Sequence, residues 1–180
     1  YVDRSITPFP IMPILNFFLG LIQDPNASQN YELYTQFFDN AIIPLISAQH
    51  ILTYCNIMTE IFDMFIDADS SYAPKIIKKL VAAWPKSCPS KQQVFINFIN
   101  NATSKLQPED FKTTCPIVFG LYAKVAKSSH AKIVQASLRI WSDVKIIPMI
   151  MDNTGLIFPI IFHSVQNVMK NHWNPQARNQ

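Results

Sequence analysis

The sequence predicts an all-α fold, a HEAT-like helical-repeat solenoid in which helix pairs stack into an α–α superhelix. Three observations predict it. Apolar residues recur at helical spacing almost throughout, and strand-like alternation is not sustained anywhere. Three glycines stand against thirteen prolines in 180 residues, too few glycine-bearing turns for a sandwich or barrel. Pro44, Pro116 and Pro159 each interrupt an apolar helix, at separations of 72 and 43 residues. Helix pairs repeating every ~40–47 residues are the HEAT and armadillo signature. A proline inside a helix removes a hydrogen bond and kinks it, so its recurrence at one place in the repeat would bend each first helix around the stack.

In chain order, the pattern predicts a first helix over 11–23, closed by Asp24-Pro25-Asn26. The second, 32–46, carries Ile42-Ile43-Pro44-Leu45-Ile46. The third, 50–66, has Ile57, Ile61, Met64 and Phe65 on one stripe and stops at Asp67-Ala68-Asp69-Ser70-Ser71. The fourth, 74–84, runs into Trp84-Pro85-Lys86-Ser87-Cys88-Pro89-Ser90. The fifth, 91–105, places Phe95, Phe98, Ile99 and Ala102 on one face. Pro108 with Glu109 and Asp110 opens the sixth, 108–127, because proline fits the first turn and acids suit the dipole there. After Ser128-Ser129 the seventh, 130–141, carries Ile133, Ala136, Leu138 and Trp141. An eighth, 144–151, ends at Asp152-Asn153-Thr154-Gly155, and the ninth covers 155–172.

Composition supports a packed core, with 49% hydrophobic and 15% charged residues. The longest apolar runs fall short of the roughly 20 residues a spanning helix needs, so no membrane segment is expected. Tyr1-Val2-Asp3-Arg4 is neither an initiator methionine nor a signal peptide. Phe9 to Leu15 with Phe17, Phe18 and Leu21 is too apolar for a natural solenoid cap. Residues 1–180 are therefore expected to be one segment of a longer solenoid, which would bare that face and self-associate in isolation. Cys55, Cys88 and Cys115 are odd in number and widely spaced, as reduced thiols of a cytoplasmic or nuclear protein would be. Two glycosylation tripeptides, at Asn26 and Asn101, mean little without a secretory signal. Net charge is +3, and Glu60, Asp63, Asp67 and Asp69 precede Lys75, Lys78, Lys79, Lys86 and Lys91. A solvated face explains that sorting better than nucleic acid, since arginine is scarce and no nucleic-acid motif occurs.

Catalytic constellations are missing, and no cofactor is expected. There is no glycine-rich phosphate loop, Cys-x-x-Cys pair or His-Glu-x-x-His. His163 and His172 fall on opposite helix faces. His50 and His130 begin helices, where capping or surface roles suit them better than catalysis. Asp67-Ala68-Asp69-Ser70-Ser71 resembles the opening of a calcium loop, but Tyr72 and Lys78 stand where glycine and glutamate are required. Trp84, Trp141 and Trp173 sit near helix ends and are expected to seal seams between repeats.

The stretch Trp84-Pro85-Lys86, followed by Lys91 and Phe95-Ile96-Asn97, resembles the B-prime regulatory subunits of protein phosphatase 2A. The likeness continues through Pro108-Glu109-Asp110-Phe111, Leu121-Tyr122-Ala123-Lys124, Ser128-Ser129-His130, Val134-Gln135-Ala136, Asp152-Asn153, Phe158-Pro159-Ile160-Ile161-Phe162 and His172-Trp173-Asn174, and upstream through Leu19-Gly20, Ile43-Pro44-Leu45 and Tyr54. The resemblance covers about residues 11–174 in shared spacing. It implies a HEAT-like superhelix without activity of its own, docking on the phosphatase scaffold and catalytic subunits and selecting substrates. It further implies a groove for Leu-x-x-Ile-x-Glu peptides. Two groove isoleucines of the family fall on Phe18 and Ile22, the first a larger apolar replacement, and a nearby lysine falls on Tyr31. The basic groove residues would precede residue 1. The alternative is a helical-repeat adaptor that keeps the fold and has changed its partners.

Overall fold

The structure is a computed structural model and describes residues 11–24 and 27–171. Nine helical units and no strand occur among the described residues. They are α1 (Ile11–Gln23), α2 (31–45), α3 (Ile51–Ala68), α4 (Tyr72–Ala82), α5 (Pro89–Thr103), α6 (Pro108–Val125), α7 (Ala131–Leu138), α8 (Ile146–Asp152) and α9 (Thr154–Asn171). Short 3₁₀ turns at Ala27–Asn30 and Arg139–Ser142 precede α2 and follow α7. The predicted helices match these units to within two or three residues.

Most helices pack on the helix two or three places along the chain. α1 lies on α3, α3 on α5 and α5 on α7, while α4 lies on α6 and α6 on α9. Contacts between α4 and α5, and between α6 and α7, join the two layers. The core is continuous from Leu15 to Ile161. α6 buries one broad face, with Phe111, Cys115, Val118, Phe119, Leu121 and Tyr122 all enclosed, while Lys112, Thr113, Pro116 and Lys124 are exposed on the other.

The polar links follow the same rhythm. Lys75 pairs with Asp39, 36 residues back. Asn101 donates to Asp63 at 2.7 Å and Lys105 to Asp67 at 2.9 Å, each 38 residues away. Lys91 donates to the Ala48 carbonyl at 2.9 Å across 43 residues. One repeat therefore holds the next. Lys105 also meets Asp63 at 2.8 Å. Burial pulls the Lys105 pKa down, but the hydrogen bonds and charges of the two aspartates win and hold it above the ordinary lysine value. Asp63 and Asp67 of α3 thus meet a lysine just after α5, and not the lysine run that follows them in sequence.

Prolines act at two of the predicted kinks through different devices. Ahead of Pro44, residues Phe38–Ile42 form a π-helical turn, and the Ile43 N–H returns to the Phe38 carbonyl five residues back. That wider register accommodates a proline that would otherwise collide with the Asn40 carbonyl. In α6 the Lys112 carbonyl lacks the N–H that Pro116 cannot supply, and the Cys115 thiol donates to it at 3.5 Å. A further break has no signal in the spacing. Tyr54 leaves helical geometry within α3 (φ −127°, ψ 15°), and its hydroxyl donates to the Leu45 carbonyl at 3.2 Å. Burial pushes that phenol up to about 12. α8 and α9 meet at a bend of 101°.

Two tryptophans stand at seams between helices, as expected. Trp84 and Trp141 pack on the core but keep part of their surface, because Trp84 lies just past the end of α4 and Trp141 in the 3₁₀ turn after α7. Trp84 packs edge-on against Phe95 at 6.3 Å, and Trp141 tilts over Phe119 at 5.4 Å. Trp141→Ala should therefore cost about 2 kcal/mol, below the ~3–5 kcal/mol of a fully buried aromatic. A urea midpoint unchanged from the parent would show that Trp141 seals nothing. Trp173 and His172 lie outside the described residues.

Candidate peptide-docking surface

α1 carries two apolar stripes. Ile11, Leu15, Phe18 and Ile22 recur at i, i+4, i+7, i+11, and Ile14, Phe17 and Leu21 form a second row beside them. The first row turns inward. Phe18 is 4% exposed, with its ring 4.6 Å from Phe37, 6.1 Å from Tyr34 and 6.2 Å from Phe65. Ile22 is half-buried against the same core. The second row faces out, with Ile14 and Phe17 exposed. Of the two groove candidates, then, Phe18 belongs to an aromatic cluster of its own chain and Ile22 keeps part of its surface. Periodicity alone could not choose between two apolar rows on one helix.

Tyr31 opens α2 and is exposed. Partial burial raises its phenol pKa, with smaller contributions from Tyr72 and Asp69. It thus lies near the start of α4 and offers a hydroxyl at the surface. Leu33, two residues on, is exposed as well.

The other sequence candidates take structural places. Among the described residues no three His, Cys, Asp or Glu side chains gather as a metal site. Asp69 Oδ1 accepts the Ser71 N–H at 2.9 Å, so the calcium-like run is a turn between α3 and α4. Asn101 is occupied by Asp63. Cys55 is half-buried, Cys88 exposed and Cys115 buried, with no disulfide among them. No single described helix is long and apolar enough to cross a membrane.

Comparison with known proteins agrees with this architecture. The whole chain, residues 1–180, matches the family described as "Protein phosphatase 2A regulatory B subunit (B56 family)". Among its relatives, the Caenorhabditis elegans serine/threonine-protein phosphatase 2A regulatory subunit pptr-1 is 31% identical over 123 residues, 68% of this chain and 22% of that protein. The human 56 kDa regulatory subunit alpha isoform is 28% identical over 140 residues, 78% of this chain and 29% of its own length. The mouse (Mus musculus) alpha isoform is 27% identical over 139 residues, 77% of this chain and 29% of its own. The chain thus spans under a third of each of these relatives. Together with the helix-pair stack, the match over its entire length means that the chain belongs to the B56 family of protein phosphatase 2A regulatory subunits.

Proposed function

We propose that this chain is part of a non-catalytic regulatory and targeting subunit of a 2A-type serine/threonine phosphatase. In this reading it docks on the scaffold and catalytic subunits and selects substrates through their short linear motifs, in the cytoplasm or nucleus. The observation that carries the proposal is the family match over residues 1–180. A surface of stacked helices without an evident catalytic constellation suits a binding role. Ile22, with Tyr31 nearby, would supply one wall of a peptide groove, and Phe18 would shape it from beneath.

The test is affinity capture of the full-length protein from cells. Scaffold and catalytic subunits should be recovered in near-equal amounts, and the purified protein alone should release no phosphate from a phosphopeptide. Recovery of other partners without either phosphatase component would favour the adaptor reading instead.

A further inference from the structure

Charge in this chain is sorted by edge of the stack. Lys105, just after α5, reaches Asp63 and Asp67 near the end of α3, so these two helices run the same way. That edge also holds Asp69 and the start of α6 with Glu109 and Asp110. At the opposite edge lie the ends of α4 and α6 and the starts of α5 and α7. The segments 84–91 and 121–133 there carry Lys86, Lys91, Lys124, Lys127, His130 and Lys132, and no acid. Helix dipoles do not explain the pattern. They favour acids in a first turn and cations in a last turn, by about 0.3–1 kcal/mol each. α6 obeys, but α3 ends on Asp67, while Lys91 and Lys132 stand in the first turns of α5 and α7.

This basic edge contains a cleft of about 130 Å³. Leu121, Val125 and Ile133, all buried, form its floor, and half-buried Trp84 stands beside them. The Gln92 side-chain amide donates to the Pro85 carbonyl at 2.8 Å and fixes the turn that holds Trp84. Exposed Lys124 lines the mouth. An engineered apolar cavity of about 150 Å³ accepts benzene, so this one has room for a single ring or branched side chain. Lys86, Lys124, Lys127 and Lys132 are exposed and form no ion pair among the described residues.

We propose that this cleft docks an extended acidic peptide of a partner protein. One apolar side chain enters between Trp84 and the Leu121–Val125–Ile133 floor, and flanking carboxylates meet Lys86, Lys124 and Lys127. The site is separate from the α1 surface that carries Ile22 and does not depend on it. A protein segment fits better than the other polyanions. No large apolar side chain of segments 84–91 or 121–133 is exposed for insertion into lipid. Both segments also lack arginine, the usual bidentate reader of phosphate.

The experiment is fluorescence anisotropy of the labelled heptapeptide Glu-Asp-Glu-Phe-Glu-Asp-Glu against the full-length protein, beside the same peptide with alanine for phenylalanine. Saturable binding is expected, weakened about tenfold by loss of the ring and at least about tenfold by Lys124→Glu with Lys127→Glu, as desolvated anchors and charge complementarity require. Lys112→Glu, exposed on the other half of α6, should leave binding unchanged. Equal affinity for the two peptides on the unaltered chain would overturn the proposal, whatever the variants do. So would a double variant, folded by its far-UV melt, that binds like Lys112→Glu. Capture of phosphatidylserine vesicles in place of the peptide would assign the edge to a membrane and sink the idea.

Discussion

Phe38→Ala should cost about 3–5 kcal/mol, the range for emptying an enclosed aromatic site. Phe38 is wholly buried at the start of the π-helical turn. Its ring stacks on Phe65 at 4.1 Å and meets Tyr72 edge-on at 5.2 Å and Phe62 edge-on at 6.0 Å. One side chain therefore joins α2, α3 and α4. Set against a typical stability of about 5–15 kcal/mol, its loss should visibly lower the urea midpoint. It should also loosen α2, since no residue of its first turns, Tyr31–Phe37, is fully buried. Amide exchange should then rise first in residues 31–45. A loss under about 1 kcal/mol would mean that the cluster repacks around the vacancy.

The second large effect is expected at Asn100. Its side-chain amide donates to the Ala136 carbonyl at 3.1 Å, and its Oδ1 accepts the Tyr122 hydroxyl at 2.6 Å. One residue of α5 thus satisfies polar groups of both α6 and α7. Burial drives the Tyr122 phenol well above its ordinary pKa, so it remains a protonated donor at any pH the fold tolerates. Asn100→Leu keeps the volume and strands two partners. At about 1–3 kcal/mol for each buried group left unpaired, the expected cost is about 2–6 kcal/mol. Tyr122→Phe should cost less, because it leaves one acceptor, Asn100 Oδ1, without its donor and keeps the bond to Ala136. Combining the two should cost less than their sum, with a coupling of about 0.5–3 kcal/mol. Strict additivity would show that the network is not a unit.

Much of this architecture is legible in the sequence because it is written locally. The stripe Phe95, Phe98, Ile99, Ala102 and the start at Pro108-Glu109-Asp110 depend on near neighbours, and both stand where spacing places them. What escapes is non-local. The partner of Asp63 and Asp67 lies 38 or more residues away, just after α5, so order along the chain shows only that acids precede lysines. The π turn before Pro44 is a change of hydrogen-bond register, which a proline signals but does not specify. The groove candidates show the same limit. Phe18 and Ile14 are equally apolar, and only the docking of α1 on α3 decides which row turns inward. The cleft beside Trp84 is half visible: the tryptophan and the lysines stand out, but the floor comes from helices that only the stack brings together.

The spacing of the links between repeats also bears on how the chain is made. Contacts that close over 36 to 43 residues require no distant segment. A ribosome adding about 5–20 residues per second delivers that interval in about two to nine seconds, whereas a helix forms within about a microsecond. Each newly emerged pair can therefore settle on its predecessor before the following one exists. At any moment the nascent chain holds one unfinished apolar face instead of several, and its chance of sticking to a neighbour stays that of a single repeat.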